Sequence, residues 1–176
     1  MFTFFYLFGN ILVDSGSLWE KVGDNMLLGE FHHNIDEKNR LVIPTKLREE
    51  LGSNFVIARG IEKCLYVYSM VEWEKLVNKL NTLPFTKKVT RTFTRFLYSG
   101  ATVGEFDKNG RISIASPLVS YAGLDKECIV IGVGDHLEIW NSVKFNENFL
   151  ENSDIIDTIA EKLFIGDEDA LKCFKK

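Results

Sequence analysis

Two carboxylate–guanidinium pairs stand at one spacing in this chain: Asp36 with Arg40 in "DEKNRLVIP", and Asp107 with Arg111 in "DKNGRISIA". The position before each Arg is Asn39 or Gly110, residue types that tolerate a left-handed backbone and so suit a tight turn. The Asp of such a turn can accept hydrogen bonds from the turn amides, or it can orient the guanidinium. A guanidinium fork on a rigid turn can engage phosphate oxygens or a guanine edge. Lys38 and Lys108 add positive charge to the same loops. With 10 Asp and 6 Arg in 176 residues, one D-x-x-x-R is a weak signal. Two copies, 71 residues apart and each followed by an alternating segment, are a strong one.

The elements around the two turns also repeat. Gly29-Glu30-Phe31 precedes the first turn and Leu41-Val42-Ile43 follows it as a strand; "PTKLREELG" then predicts a short helix. Thr45 is the expected N-cap, Leu47 and Leu51 share a face, and Gly52 terminates the helix. Strands "NFVIARG" and "CLYVYS" come next, then a helix carrying Trp73, Leu76, Val77 and Leu80 at 3–4 spacing. In the second half, Gly104-Glu105-Phe106 leads into the turn, and "ISI" leaves it. A helix is expected with Ser116 as N-cap and Pro117 in its first turn, ending at Gly123. Strands "CIVIGVG" and "HLEIW" follow, with Trp140 matching Tyr68 and Phe145 matching Trp73. Strands outnumber short helices, which gives a β-rich α+β fold. The expected organisation is a first repeat at 26–82, a basic linker helix at 83–99, a second repeat at 100–150 and an acidic, partly helical tail at 151–176.

The net charge of −4 is unevenly spread. Residues 1–25 carry one Lys against three acids, and residues 151–176 four Lys against seven acids, which leaves the middle close to neutral. Total charge therefore neither supports nor excludes a nucleic-acid partner. The opening "MFTFFYLFGNILV" is shorter than the about 20 residues of a membrane span, and lacks the flanks of a secretory signal. Trp19 to Met26 back-translates to a purine-rich run ending in AUG, a near match to a bacterial ribosome-binding site. Residues 1–25 are thus expected to be translated leader, with the native start at Met26; a membrane anchor and a poorly ordered extension are the alternatives.

Other candidate sites are weaker. Lys87, Arg91 and Arg95 form one stripe of a basic helix whose Val89, Phe93, Phe96 and Leu97 lie mostly on the other side. That stripe is either a secondary phosphate-contacting surface or an outer face that is solvated or paired with a neighbouring subunit. His32 and His33 are adjacent and alternate faces on a strand, and only His136 remains, so no metal site is expected. Cys64, Cys128 and Cys173 are far apart, odd in number and without C-x-x-C, which reads as buried or idle thiols in a reducing cytoplasm. Gly-rich phosphate loops, G-x-S-x-G and H-E-x-x-H are absent from the sequence, and Glu49-Glu50 reads as a charged surface pair. No cofactor and no enzymatic activity are expected.

From "GEF…DEKNRLVIPTKLREELG" and "GEFDKNGRISIASPLVSYAGL" the chain resembles the MraZ family of bacterial regulators, built from two AbrB-type swapped-hairpin units. "VYSMVEWEKLVNKL" and "HLEIWN" sit where that family has similar phrases, and the resemblance covers about residues 26–150. Residues 1–25 have no counterpart, and Ser69 stands where many relatives have Pro. The resemblance implies tandem swapped-hairpin β-barrel repeats with short helices. It also implies a cytoplasmic, nucleoid-associated transcription regulator that assembles into homo-oligomeric rings. Such a regulator binds short direct repeats of double-stranded DNA upstream of the division and cell-wall gene cluster. The family's D-x-x-x-R signature falls on Asp36 and Arg40, and on Asp107 and Arg111. Two function classes stay open: a DNA-binding regulator, and an oligomeric interaction scaffold whose turns make intersubunit salt bridges.

Overall fold

Alternating apolar residues become strands and 3–4-spaced ones become helices, in the same order twice. The structure, a computed structural model, describes residues 26–165. The expected leader, residues 1–25, lies outside the described residues, as does the tail from 166. The first pass runs β1 (Leu27–Asn34), β2 (Arg40–Val42), α1 (Thr45–Leu51), β3 (Asn54–Arg59), β4 (Leu65–Ser69), α2 (Met70–Asn81) and α3 (Lys88–Tyr98). The second runs β5 (Thr102–Glu105), β6 (Arg111–Ser113), α4 (Ser116–Ala122), β7 (Glu127–Gly134), β8 (His136–Asn141), α5 (Ser142–Ser153) and α6 (Ile156–Ile165). Helix α6 follows α5 as α3 follows α2.

The chain forms two compact units, one ending at Asn141 and one starting at Ser142. In the first, six strands make an antiparallel sheet of order β1-β7-β8-β4-β3-β5, while β2 and β6 form a separate two-stranded ribbon. The pairing is reciprocal between repeats. β1 pairs along its whole length with β7, from Leu27 opposite Gly134 to Asn34 opposite Glu127. β5 pairs with β3, and β2 with β6. The hairpin that opens each repeat therefore finds its ladder partners in the other repeat. Among the described residues β1 and β5 are the edges of the sheet, and no backbone pairing there closes it into the barrel that the resemblance implies. The second unit holds α5 and α6, with Phe145 and Phe149 stacked 6.5 Å apart and the Asn152 amide donating to the Asn148 carbonyl at 2.7 Å.

Side chains alternate across the sheet. Phe55, Ile57, Leu65, Val67, Val130, Leu137 and Ile139 form one buried cluster with Leu41 and Ile43 from the β2 arm, Ile112 and Ile114 from the β6 arm, and Leu47, Leu51, Leu118 and Ala122 from α1 and α4. The ribbon and the two short helices thus lie over one sheet face. Ala58, on the other face, meets Leu80 of α2 and Leu97 of α3, with Trp73 and Leu76 packed alongside. Of the apolar side of α3 only Leu97 is buried; Val89 and Phe93 are exposed.

The expected helix stops hold. Gly52 and Gly123 both have positive φ, at 77° and 61°, and donate back to the Arg48 and Ser120 carbonyls. The expected N-caps do not. Pro44 and Ala115 occupy those positions, and neither helix has a side-chain cap. The Thr45 hydroxyl instead accepts from Arg48 at 2.7 Å, and Ser116 Oγ accepts from the Asn39 amide at 3.3 Å. Both hydroxyls are diverted to other side chains. Ser69, noted only as a departure from Pro, is a working cap: its Oγ accepts from the Glu72 amide at 3.2 Å.

Candidate functional site

The β2–β6 ribbon brings the two turns together. Leu41 lies opposite Ile112, flanked by Arg40 opposite Ser113 and Val42 opposite Arg111. Because Leu41 and Ile112 hold equivalent places in the two repeats, a local twofold axis runs through that pair. The bonds beyond the ladder obey it: the Ile43 amide donates to the Gly110 carbonyl at 3.1 Å, and the Ile114 amide to the Asn39 carbonyl at 2.9 Å. Asn39 and Gly110 have φ of 56° and 70°, and this left-handed geometry accompanies the carbonyl's reach to the other repeat.

Each Asp does both jobs that its sequence context suggests, one per oxygen. Asp36 Oδ1 accepts from the amides of Lys38 and Arg40, both at 2.9 Å. Its Oδ2 accepts from Arg40 Nε at 2.7 Å and lies 2.6 Å from Nη2. Asp107 repeats this with the Asn109 and Arg111 amides at 2.8 and 3.0 Å, and with Arg111 Nε and Nη2, both at 2.7 Å. The two pairs also meet across the axis, with Arg111 Nη1 3.9 Å from Asp36 Oδ2. The hydrogen bond from Arg40 holds the Asp36 carboxyl down at about 2, helped by the turn amides. Asp107 is lowered too, first by the Arg111 amide and then by its guanidinium. Arg40 is pushed up in turn by Asp36.

The result is a rigid, charge-balanced quartet. A guanidinium has five N–H donors, and the Asp takes the Nε–Nη2 edge, which leaves the Nη1 group of each Arg without a hydrogen bond among the described residues, although Arg111 Nη1 is in ion-pair range of Asp36. Arg40 and Arg111 are half-buried and each is held by its own Asp, so their orientation is fixed before anything binds. Lys38 and Lys108 are exposed on the turns. They are not equivalent at the 71-residue offset, because Lys108 stands where the first turn has exposed Glu37, and Asn109 where it has Lys38.

The basic helix contributes less than its composition suggests. Lys87 precedes α3 as its N-cap residue, and Arg95 is exposed on it. Arg91 is turned back on the chain, with Nη1 donating to the carbonyls of Phe85 and Thr86 at 2.9 and 2.6 Å. None of the three is brought to the quartet by any bond among the described residues. His136 is packed between Tyr66 and Tyr68, its Nδ1 2.6 Å from Asp135. Among the described residues no group of three His, Cys, Asp or Glu is placed to hold a metal ion. No described helix is long and apolar enough to cross a membrane.

Sequence reasoning missed Arg48. It lies one turn into α1 and its guanidinium abuts Gly110 of the other repeat's turn, where an added Cβ would collide with it. The signal was a mismatch at the 71-residue offset, where Val119 stands in place of Arg48.

Fold and site together define a duplicated β-rich α+β protein whose repeats exchange strands and present two Asp–Arg turns on one twofold surface. The chain belongs to the MraZ family. The family model described as "MraZ protein, putative antitoxin-like" matches it twice, over residues 26–96 and 97–165. It is similar to the "Transcriptional regulator MraZ" of Limosilactobacillus reuteri (strain DSM 20016), 49% identical over 140 residues, or 80% of this chain and 99% of that protein.

Proposed function

We propose that the twofold surface around Arg40 and Arg111 binds double-stranded DNA and that the protein regulates transcription. The observation that carries this is the convergence of both turns on one ribbon, with each guanidinium locked at its Nε–Nη2 edge by its own Asp and the two pairs meeting across the axis. Two preset forks related by a twofold axis suit a duplex, whose phosphate strands are themselves related by twofold axes. Phosphate contacts from Lys38 and Lys108 position the protein, and the forks read base edges. Exposed Lys87 and Arg95 supply secondary phosphate contacts, whereas Arg91 is held by the Phe85 and Thr86 carbonyls. The relative's name, a transcriptional regulator, supports the same reading.

The finer parts of the proposal extend the family resemblance. Each repeat is a swapped-hairpin unit of the AbrB type, and subunits assemble into a ring that sets several turn pairs against direct repeats in one promoter. Avidity then multiplies a small footprint without new contacts. The promoter is that of the protein's own division and cell-wall gene cluster, and the protein works in the cytoplasm at the nucleoid. The scaffold alternative is weakened by the same geometry, since both carboxylates are already occupied within the chain.

Fluorescence anisotropy with the DNA upstream of the protein's own gene tests the proposal. Binding should fall steeply as salt rises, because phosphate contacts release counterions. Absence of binding at low salt, with oligomers intact, would favour the scaffold.

A further inference from the structure

We propose that Arg48 is a phosphate anchor serving only the Gly110 side of the surface, so that the two repeats contact DNA unequally and each subunit docks in one direction. This rests on the DNA-binding reading above. The Asp36, Arg40, Asp107 and Arg111 charges cancel, and the quartet is close to twofold. Two features break that balance, and both fall on the second turn.

The first is a charge difference at the 71-residue offset: Lys108 stands where the first turn has Glu37, and Asn109 where it has Lys38, so the second turn is the more positive. The second is Arg48. Its guanidinium lies against Gly110, the residue before Arg111. Nη2 donates to Thr45 Oγ1 at 2.7 Å, and Nε is buried with no acceptor. No carboxylate among the described residues lies within ion-pair distance of it, whereas Arg40 and Arg111 each have one at 2.6–2.7 Å. Nη1 has no acceptor among the described residues either, and it is not among the buried polar atoms. Arg48 is therefore a half-buried cation with no ion-pair partner among the described residues, held at Nη2 by Thr45 and packed at Nη1 against Gly110. The equivalent place beside the first turn holds Val119, packed against the core, and there the neighbouring group is the uncharged Asn39–Ser116 contact. An anion approaching the surface meets Arg48 and Lys108 together on one side, and Lys38 offset by Glu37 on the other.

A phosphate contact carries no base information, so its loss weakens all DNA alike. Anisotropy titrations of Arg48→Gln and Arg48→Lys against the upstream DNA and an unrelated duplex, across a salt series, read this out. Arg48→Gln should weaken both duplexes by the same factor and lower the salt slope by about one per bound subunit. Arg48→Lys should keep the slope. Phosphate-ethylation interference should lose contacts on one flank of each protected repeat in Arg48→Gln, with the other flank unchanged. If Arg48→Gln leaves affinity and slope intact while Arg40→Ala with Arg111→Ala abolishes binding, the anchor is refuted and the DNA reading stands. If none of these variants alters binding, both fall. Should Arg48→Gln melt early, Arg48→Lys decides, because a fold-only role would not restore the slope.

Discussion

Leu41→Ala should destabilise the protein and blunt both turns at once, because Leu41 and Ile112 are the central pair of the ribbon that carries them. Both side chains are fully buried, at 0% exposure. The change removes three carbons, which at about 0.8 kcal/mol each amounts to roughly 2–3 kcal/mol of lost transfer energy. Close packing against Ile43, Ile112 and the sheet limits collapse, so a cavity cost adds to this and places the loss at about 3–4 kcal/mol. That is a large share of the roughly 5–15 kcal/mol of a typical domain. Urea denaturation followed by tryptophan fluorescence measures it. The Leu41→Ala and Ile112→Ala effects should also be coupled, by about 0.5 kcal/mol or more in a double-mutant cycle, since the residues touch. A loss below about 1 kcal/mol, or strict additivity, would mean that the ribbon is not the packed support of the turns.

Three further outcomes are expected. The Arg40 bond favours the charged form of Asp36, lowering its pKa from 3.8 to about 2, so its stabilisation is complete above pH 4 and fades as pH falls towards 2. The melting-temperature gap between wild type and Asp36→Asn should accordingly be widest at neutral pH and narrow over that acid range. Gly110→Val should cost stability, because φ is 70° there and Arg48 fills the space, whereas Asn39→Gly should be nearly neutral; thermal melts compare them. A fragment spanning 26–96 leaves β1, β2 and the open edge of β3 without partners, so it should self-associate or fail to fold, which sedimentation and circular dichroism distinguish from a stable monomer.

The turns were legible in the sequence because their chemistry is local: Asp, a left-handed residue and Arg within five positions. The strand partners were not. Alternation assigns a residue to a face but names no neighbour, and nothing in "GEFHHN" says that it pairs with "ECIVIGVG" rather than with its own repeat. The helix starts were misread because Thr45 and Ser116 have cap-type side chains, but each found a longer-range partner. The division of labour between the two Asp oxygens needed coordinates, since both uses fit the same spacing. Arg48 escaped because the repeats were compared for what they share, and its meaning lies in what they do not.

The most direct measurement is operator affinity of the Arg40→Ala, Arg111→Ala double variant, by anisotropy on the upstream DNA with an unrelated duplex alongside. If the two forks read base edges, each lost contact costs about 1–3 kcal/mol and discrimination between the duplexes collapses. Circular dichroism and oligomer mass should stay as in wild type. Unchanged operator affinity and discrimination in a folded double variant would contradict the proposal and make the paired turns a structural device.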